Sequence, residues 1–109
     1  MNKSEKKQSI SLGLVAVASR ELVSANLGDE VVILGFKSGS YYSLDQVGDF
    51  VWDLLQQPQK VSDIRDAIFE EYDVELAQCE NDLIVLLDDL ADKELIDIEN
   101  DPVTNALSV

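Results

Sequence analysis

The sequence contains no histidine, and its 109 residues include one cysteine, Cys79. Without an imidazole, neither a Ser-His nor a Cys-His nucleophilic arrangement can be assembled. A lone cysteine excludes an internal disulfide and a cysteine-only metal site, and it fits a reducing cytoplasm. Basic residues are scarce: 8 Lys/Arg stand against 22 Asp/Glu, a formal net charge of −14. Nucleic acid is therefore not expected as a partner, since phosphate binding rests on Lys/Arg, and an anionic membrane surface is disfavoured on the same ground. There is no glycine-rich phosphate loop, zinc pattern or Asp-x-Asp-x-Asp-Gly calcium loop, so no cofactor and no metal are expected. Long apolar runs are missing too. Ile10 to Ala18 is short and broken by Ser11 and Gly13, which reads as neither a signal peptide nor a membrane span. The expected location is the cytoplasm.

What is present suits one domain. Apolar residues make up 46% of the chain, enough for a single core, and a domain this small has modest stability. The charge is uneven: from Val61 to Asp101 there are 15 Asp/Glu against only Arg65 and Lys93. The plain reading is a solvated surface; the functional one is an acidic rim that attracts a basic peptide. Residues 1–19 read as a flexible, lysine-bearing extension, within which Ile10 to Ser19 suits either an added strand or an arm. Residues 20–99 form the domain and 100–109 a frayed tail.

Within the domain the apolar period is first two, then 3.6 residues. Glu21 to Asn26 is a short strand, and Leu27-Gly28-Asp29 a turn. Glu30 to Phe36, apolar on both faces, reads as the central strand. Lys37-Ser38-Gly39 has hairpin-turn composition, and Ser40 to Leu44 returns as an antiparallel neighbour. Asp45 then caps a helix whose apolar face is Val47, Phe50, Val51, Leu54 and Leu55, ended by Gln57-Pro58. Ser62 is expected to cap a second helix with Ile64, Ala67 and Ile68 inward. A third helix runs from about Leu76 to Asp92, and Leu95 to Ile98 forms a closing strand or an extended tail. Three strands followed by three helices give an α+β fold, close to a winged-helix arrangement.

The third helix carries a wide apolar face. At about 100° per residue, Leu86, Cys79, Leu90, Leu83, Leu87, Ala91 and Ile84 span an arc of roughly 160°, whereas packing on a sheet needs roughly 100° or more. Val85 lies on the polar side. The edge near Leu86 and Cys79, bordered by Asp82 and Asp89, is thus available for something beyond the core. The strand Ser40 to Leu44 contains no proline and no charge to blunt it as an edge. A groove between that strand and the third helix could take an extended peptide, with backbone pairing for affinity and side-chain pockets for choice of sequence.

Val32-Ile33-Leu34, Gly39-Ser40-Tyr41-Tyr42-Ser43-Leu44-Asp45, Val47-Gly48, Val51-Trp52-Asp53-Leu54-Leu55, Tyr72-Asp73-Val74, Asp82-Leu83 and Leu86-Leu87-Asp88-Asp89-Leu90 follow one another in an order and spacing that resemble the PqqD-like family. These are the peptide chaperones also called RiPP precursor recognition elements. The resemblance covers Arg20 to Ile98. It departs at Leu44-Asp45, where the family often has Leu-Asn, and at Glu94-Leu95, where it often has Gly-Leu. It implies a winged-helix-like fold on which the leader segment of a ribosomally made precursor peptide adds as a strand and lies against the third helix. Carried onto this chain, the docking residues are Ser40, Tyr41, Tyr42, Ser43 and Leu44, faced by Cys79, Asp82, Leu83, Val85, Leu86 and Asp89. The implied partners are the leader peptide and a modifying enzyme. The stand-alone size is most like the lasso-peptide group, which works with a leader peptidase and a cyclase. A chaperone for a radical SAM peptide-modifying enzyme is the alternative within the family. An open edge would also let two copies pair as a weak homodimer when no peptide is bound.

No enzyme activity is expected. Asp88 and Asp89, adjacent on a helix, point about 100° apart and do not converge, and Cys79 on the apolar arc reads as a packing residue. An acidic acyl-carrier-like protein would need a serine at a helix start, whereas Ser43-Leu44-Asp45 falls in a segment that reads as strand. A winged-helix DNA binder would place Asp82, Asp88, Asp89 and Asp92 on its recognition helix. Phe50 and Trp52 read as core. Tyr41 and Tyr42 point to opposite faces of their strand, and either one could face a peptide.

Overall fold

A computed structural model describes residues 10–20, 22–28, 30–36 and 39–99. The β-branched run Val31-Val32-Ile33 builds Glu30–Gly35 (β3), the middle strand of an antiparallel sheet between Leu22–Leu27 (β2) and Tyr41–Leu44 (β4). Alternation sends Ile33 and Leu44 into the core. The other face stays open: Val23, Leu34 and Tyr41 lie in register across it and are all exposed. The strand is central, as its composition predicts, but it is covered on one face only. Gly28 (φ 75°) and Gly39 (φ 70°) supply the left-handed residues of the two turns. The other turn residues expected there, Asp29, Lys37 and Ser38, lie outside the described residues.

Asp45 caps Gln46–Leu54 (α1), its Oδ1 accepting from the Gly48 N–H at 2.8 Å. Gly48 packs closely there: a Cβ would stand 3.0 Å from Leu44 Cδ2, so a larger residue would make the Leu44 side chain shift. Val61–Glu71 (α2) and Leu76–Asp92 (α3) follow. Leu55, Ile64, Leu83, Leu87 and Leu90 close the core with Val51 and Trp52. Phe50 sits at its margin, edge-on to Tyr72 at 5.5 Å.

The fold is thus α+β, as predicted, with two departures. The first concerns residues 10–19. Val15–Ala18 (β1) is a strand, paired antiparallel with both Gln59–Lys60 (β5) and Ile96–Glu99 (β6) in a second three-stranded sheet. Ile10, Val15 and Ala16 are buried, so the folded body begins ahead of Arg20, where the sequence places its boundary. The same pairing decides for a strand, rather than a tail, after Leu95. The second departure is Ser62, which is inside α2 and caps nothing. The free N–H groups of Val61 and Ser62 donate instead to Leu14 O (2.9 Å) and Leu12 O (3.1 Å). Helix N-termini need such acceptors, and here the segment before β1 provides them. The expected flexible start, 1–9, and frayed end, 100–109, lie outside the described residues.

The end of α3 explains a departure in sequence. Leu95 N donates to Leu90 O at 2.9 Å and Glu94 N to Ala91 O at 3.0 Å, with Glu94 at φ 61°. This is a Schellman motif, whose left-handed position is usually glycine. Here a glutamate occupies it.

Candidate functional site

The site is built from β4 outward. Among the described residues, in the order β2-β3-β4, β4 has a neighbour on one side only. Gly39 N donates to Gly35 O and Gly35 N to Ser40 O, both at 2.9 Å. Two residues thus oppose one, with a left-handed glycine first, which is a G1 bulge. It fixes the phase of the ladder. Hydrogen-bonded and non-bonded pairs alternate in antiparallel sheets, so Tyr42 and Leu44, opposite Ile33 and Val31, bond to β3. Tyr41 and Ser43 then turn their N–H and C=O groups to the free edge.

Side chains divide in the same grouping, between the two faces of the sheet. Tyr42 points inward: its hydroxyl donates to Asp89 Oδ2 at 3.4 Å, and Lys93 Nζ lies 5.7 Å from the ring centroid. Burial pushes the Tyr42 hydroxyl above its usual pKa, and the Asp89 carboxylate beside it adds to the rise. Tyr41 is on the opposite face, 68% exposed. Ser43 also turns its hydroxyl outward, to Glu30 Oε1 at 3.0 Å. It is therefore a strand residue and does not sit at a helix start, as a carrier-protein serine would.

Beside this edge, between β4 and α3, runs a groove of about 440 Å³. Tyr42, Ser43, Leu44, Cys79, Asp82, Leu83 and Leu86 line it, all residues proposed from the sequence. Asp89 joins through Tyr42. Ser40, Tyr41 and Val85 are not part of the lining; Val85 is 53% exposed. Sequence reasoning missed Asp45, Val47, Gly48 and Val51 from the start of α1, Ile68 from α2, Val74, and Gln78. The first four had a usable signal, because a helix that starts directly after β4 must flank its end. Ile68 and Val74 had none, since only tertiary packing brings them there.

The floor is apolar and the rim polar. Leu44, Val51, Ile68, Cys79 and Leu83 are buried at the bottom. Gln78, Asp82 and Leu86 follow one another at single-turn intervals along the α3 rim. Burial pushes the Cys79 thiol above its usual pKa, despite the opposing pull of Arg65, and Sγ lies 3.8 Å from Arg65 O. A buried thiol with a raised pKa suits a packing residue on the groove floor. Among the described residues, no group of three or more His, Cys, Asp or Glu is placed to hold a metal ion, and no helix is long and apolar enough to cross a membrane.

An open edge strand beside an apolar groove is the geometry of a receptor for extended peptide. Comparison with known proteins agrees with it. No curated protein matches the chain significantly. A solved structure described as TbiB1 in complex with the TbiA(beta) leader peptide is similar, with 42% identity and a TM-score of 0.67, over 74% of this chain and 94% of that one. The family described as coenzyme PQQ synthesis protein D (PqqD) matches residues 30–96, and the chain belongs to that family.

Proposed function

We propose that this protein binds the leader segment of a ribosomally made precursor peptide, as a strand added to β4, and presents it to modifying enzymes in the cytoplasm. The observation that carries the reading is the free β4 edge, with the Tyr41 and Ser43 backbone groups facing outward beside the groove under α3. An unpaired edge is a template for another strand. In β-augmentation the main chain gives affinity and alternate side chains enter pockets. The similarity to TbiB1, a protein solved with a leader peptide, supports the same ligand class.

The family resemblance favours a lasso-peptide pathway, with a leader peptidase and a cyclase as the enzymes served; a radical SAM enzyme is the alternative partner. Nothing in the groove is assigned a catalytic role. The same edge supports a weak homodimer in the absence of peptide, which a bound leader would displace. The test is titration of a fluorescent leader peptide from a precursor encoded beside this protein, against a scrambled control. Micromolar or tighter binding of the leader alone is expected. Equal binding of both, or none at high protein concentration, would refute the proposal.

A further inference from the structure

Among the described residues the groove carries charge of one sign: its lining includes Asp45 and Asp82 and no lysine or arginine. The two carboxylates are not equivalent. Asp45 is committed to the Gly48 N–H at the head of α1. Asp82 stands exposed on the rim, and its hydrogen bonds come from a neutral donor, Gln78 Nε2, at 3.3 and 3.4 Å. Arg65, on α2, is held by Asp66 at 2.9 Å and Glu80 at 3.3 Å. Among the described residues, then, no cation pairs with Asp82.

Spacing gives that carboxylate a definite neighbour. Asp82 and Leu86 are four residues apart on α3, which is about 6 Å along the axis. In an extended peptide, side chains on one face recur every two residues, about 6.7 Å apart. A strand added to β4 and running along α3 would therefore meet Leu86 and Asp82 with successive inward-facing side chains. We infer that the groove selects a peptide bearing a large apolar residue and, two positions away, a lysine or arginine that pairs with Asp82. The apolar side chain fills the space over Leu83, Leu86 and Ile68, and the cation closes the rim. This rests on the leader-binding reading and assigns it a specificity determinant.

Pairs at a wet rim are weak, but they direct choice and register. Replacing Asp82 by asparagine should weaken a cation-bearing peptide by about threefold, and by lysine about tenfold at low salt. The experiment is selection of a phage-displayed library of random twelve-residue peptides against the full-length protein and against Asp82→Lys, with the fluorescent neighbouring leader as competitor. Thermal melts verify that the variant folds, which the exposure of Asp82 favours. The expected result is enrichment of Lys/Arg two residues from a large apolar side chain, switching to Asp/Glu with Asp82→Lys. If selected peptides are displaced by the leader but show no cation preference, or the same preference on both proteins, the inference is overturned while peptide binding stands. If neither library nor leader binds, the underlying reading fails and this one with it.

Discussion

Replacing Glu94 by glycine should stabilise the fold, and the amount follows from two features of the α3 terminus. Glu94 has φ 61° and is the one non-glycine residue with positive φ among those described. A side chain in the left-handed region costs about 1–2 kcal/mol. Glycine avoids that cost but loses about 0.5–1 kcal/mol through its freer unfolded chain, which leaves a net gain of about 0.5–1 kcal/mol. The carboxylate is also badly placed: it follows a helix C-terminus whose last turn contains no basic residue. An anion there is disfavoured by a few tenths of a kcal/mol. The backbone bonds Leu95 N to Leu90 O and Glu94 N to Ala91 O, and the bond from Ser19 Oγ to Glu94 O, do not use the side chain. They survive the change. The sum is about 1 kcal/mol, or about 4–8 °C in Tm for a domain of this size.

Glu94→Gln separates the two contributions, since it removes the charge and keeps the strained backbone. It should recover only the smaller, salt-dependent part, about 1–2 °C. Glu94→Gly should keep most of its advantage in 0.5 M salt, where surface charge effects are screened. Thermal melts of the three proteins at two salt concentrations decide it. A glycine variant no more stable than the glutamine variant would refute the strain argument.

Two further predictions concern the groove. Leu86→Asp should weaken leader binding about tenfold in a protein that still folds, because Leu86 is half-buried on the rim; Leu83→Asp, at a 2% exposed floor position, should unfold it. Titration and circular dichroism distinguish the outcomes, and a Leu86→Asp protein that unfolds would make Leu86 a core residue. Ser43→Pro removes an N–H turned to the free edge, so it should lower affinity by about 1–3 kcal/mol with little loss of Tm, whereas Tyr42→Pro breaks the ladder to β3 and should melt the sheet. Equal loss of stability in both variants would contradict the assigned ladder phase.

Much of the fold is legible where the signal is local. The apolar period of α3 places its ends, Asp45 announces a helix, and the uncharged run from Ser40 to Leu44 marks an edge. The second sheet is not legible, because none of its strands carries a complete signal. Its β5 is two residues long, Gln59–Lys60, and Val15 finds its partners at Lys60 and Glu99. Only closure of the whole chain brings these together. The misplaced cap at Ser62 has the same origin: residue-level chemistry offers a hydroxyl, but the fold supplies the carbonyls of Leu12 and Leu14 from about fifty residues away. In the site, the near wall and the α3 wall could be read from sequence. The floor residue Ile68 could not, since nothing in a helical stripe says which of its members will line a groove.

The geometry of β4 also separates affinity from choice. In a strand, side chains and backbone hydrogen-bonding groups point in perpendicular directions, and each residue from Tyr41 to Leu44 spends the two differently. Tyr42 and Leu44 give their backbone to β3 and their side chains to the groove and core. Ser43 gives its side chain to Glu30 and leaves its backbone for a ligand. On the proposed reading, docking would draw on main-chain groups that any sequence presents, while discrimination would fall to α3, through Leu86 and Asp82. Substitutions on α3 can then change which peptide is chosen without altering the strand that holds it, and changes to the β4 backbone should weaken every peptide alike.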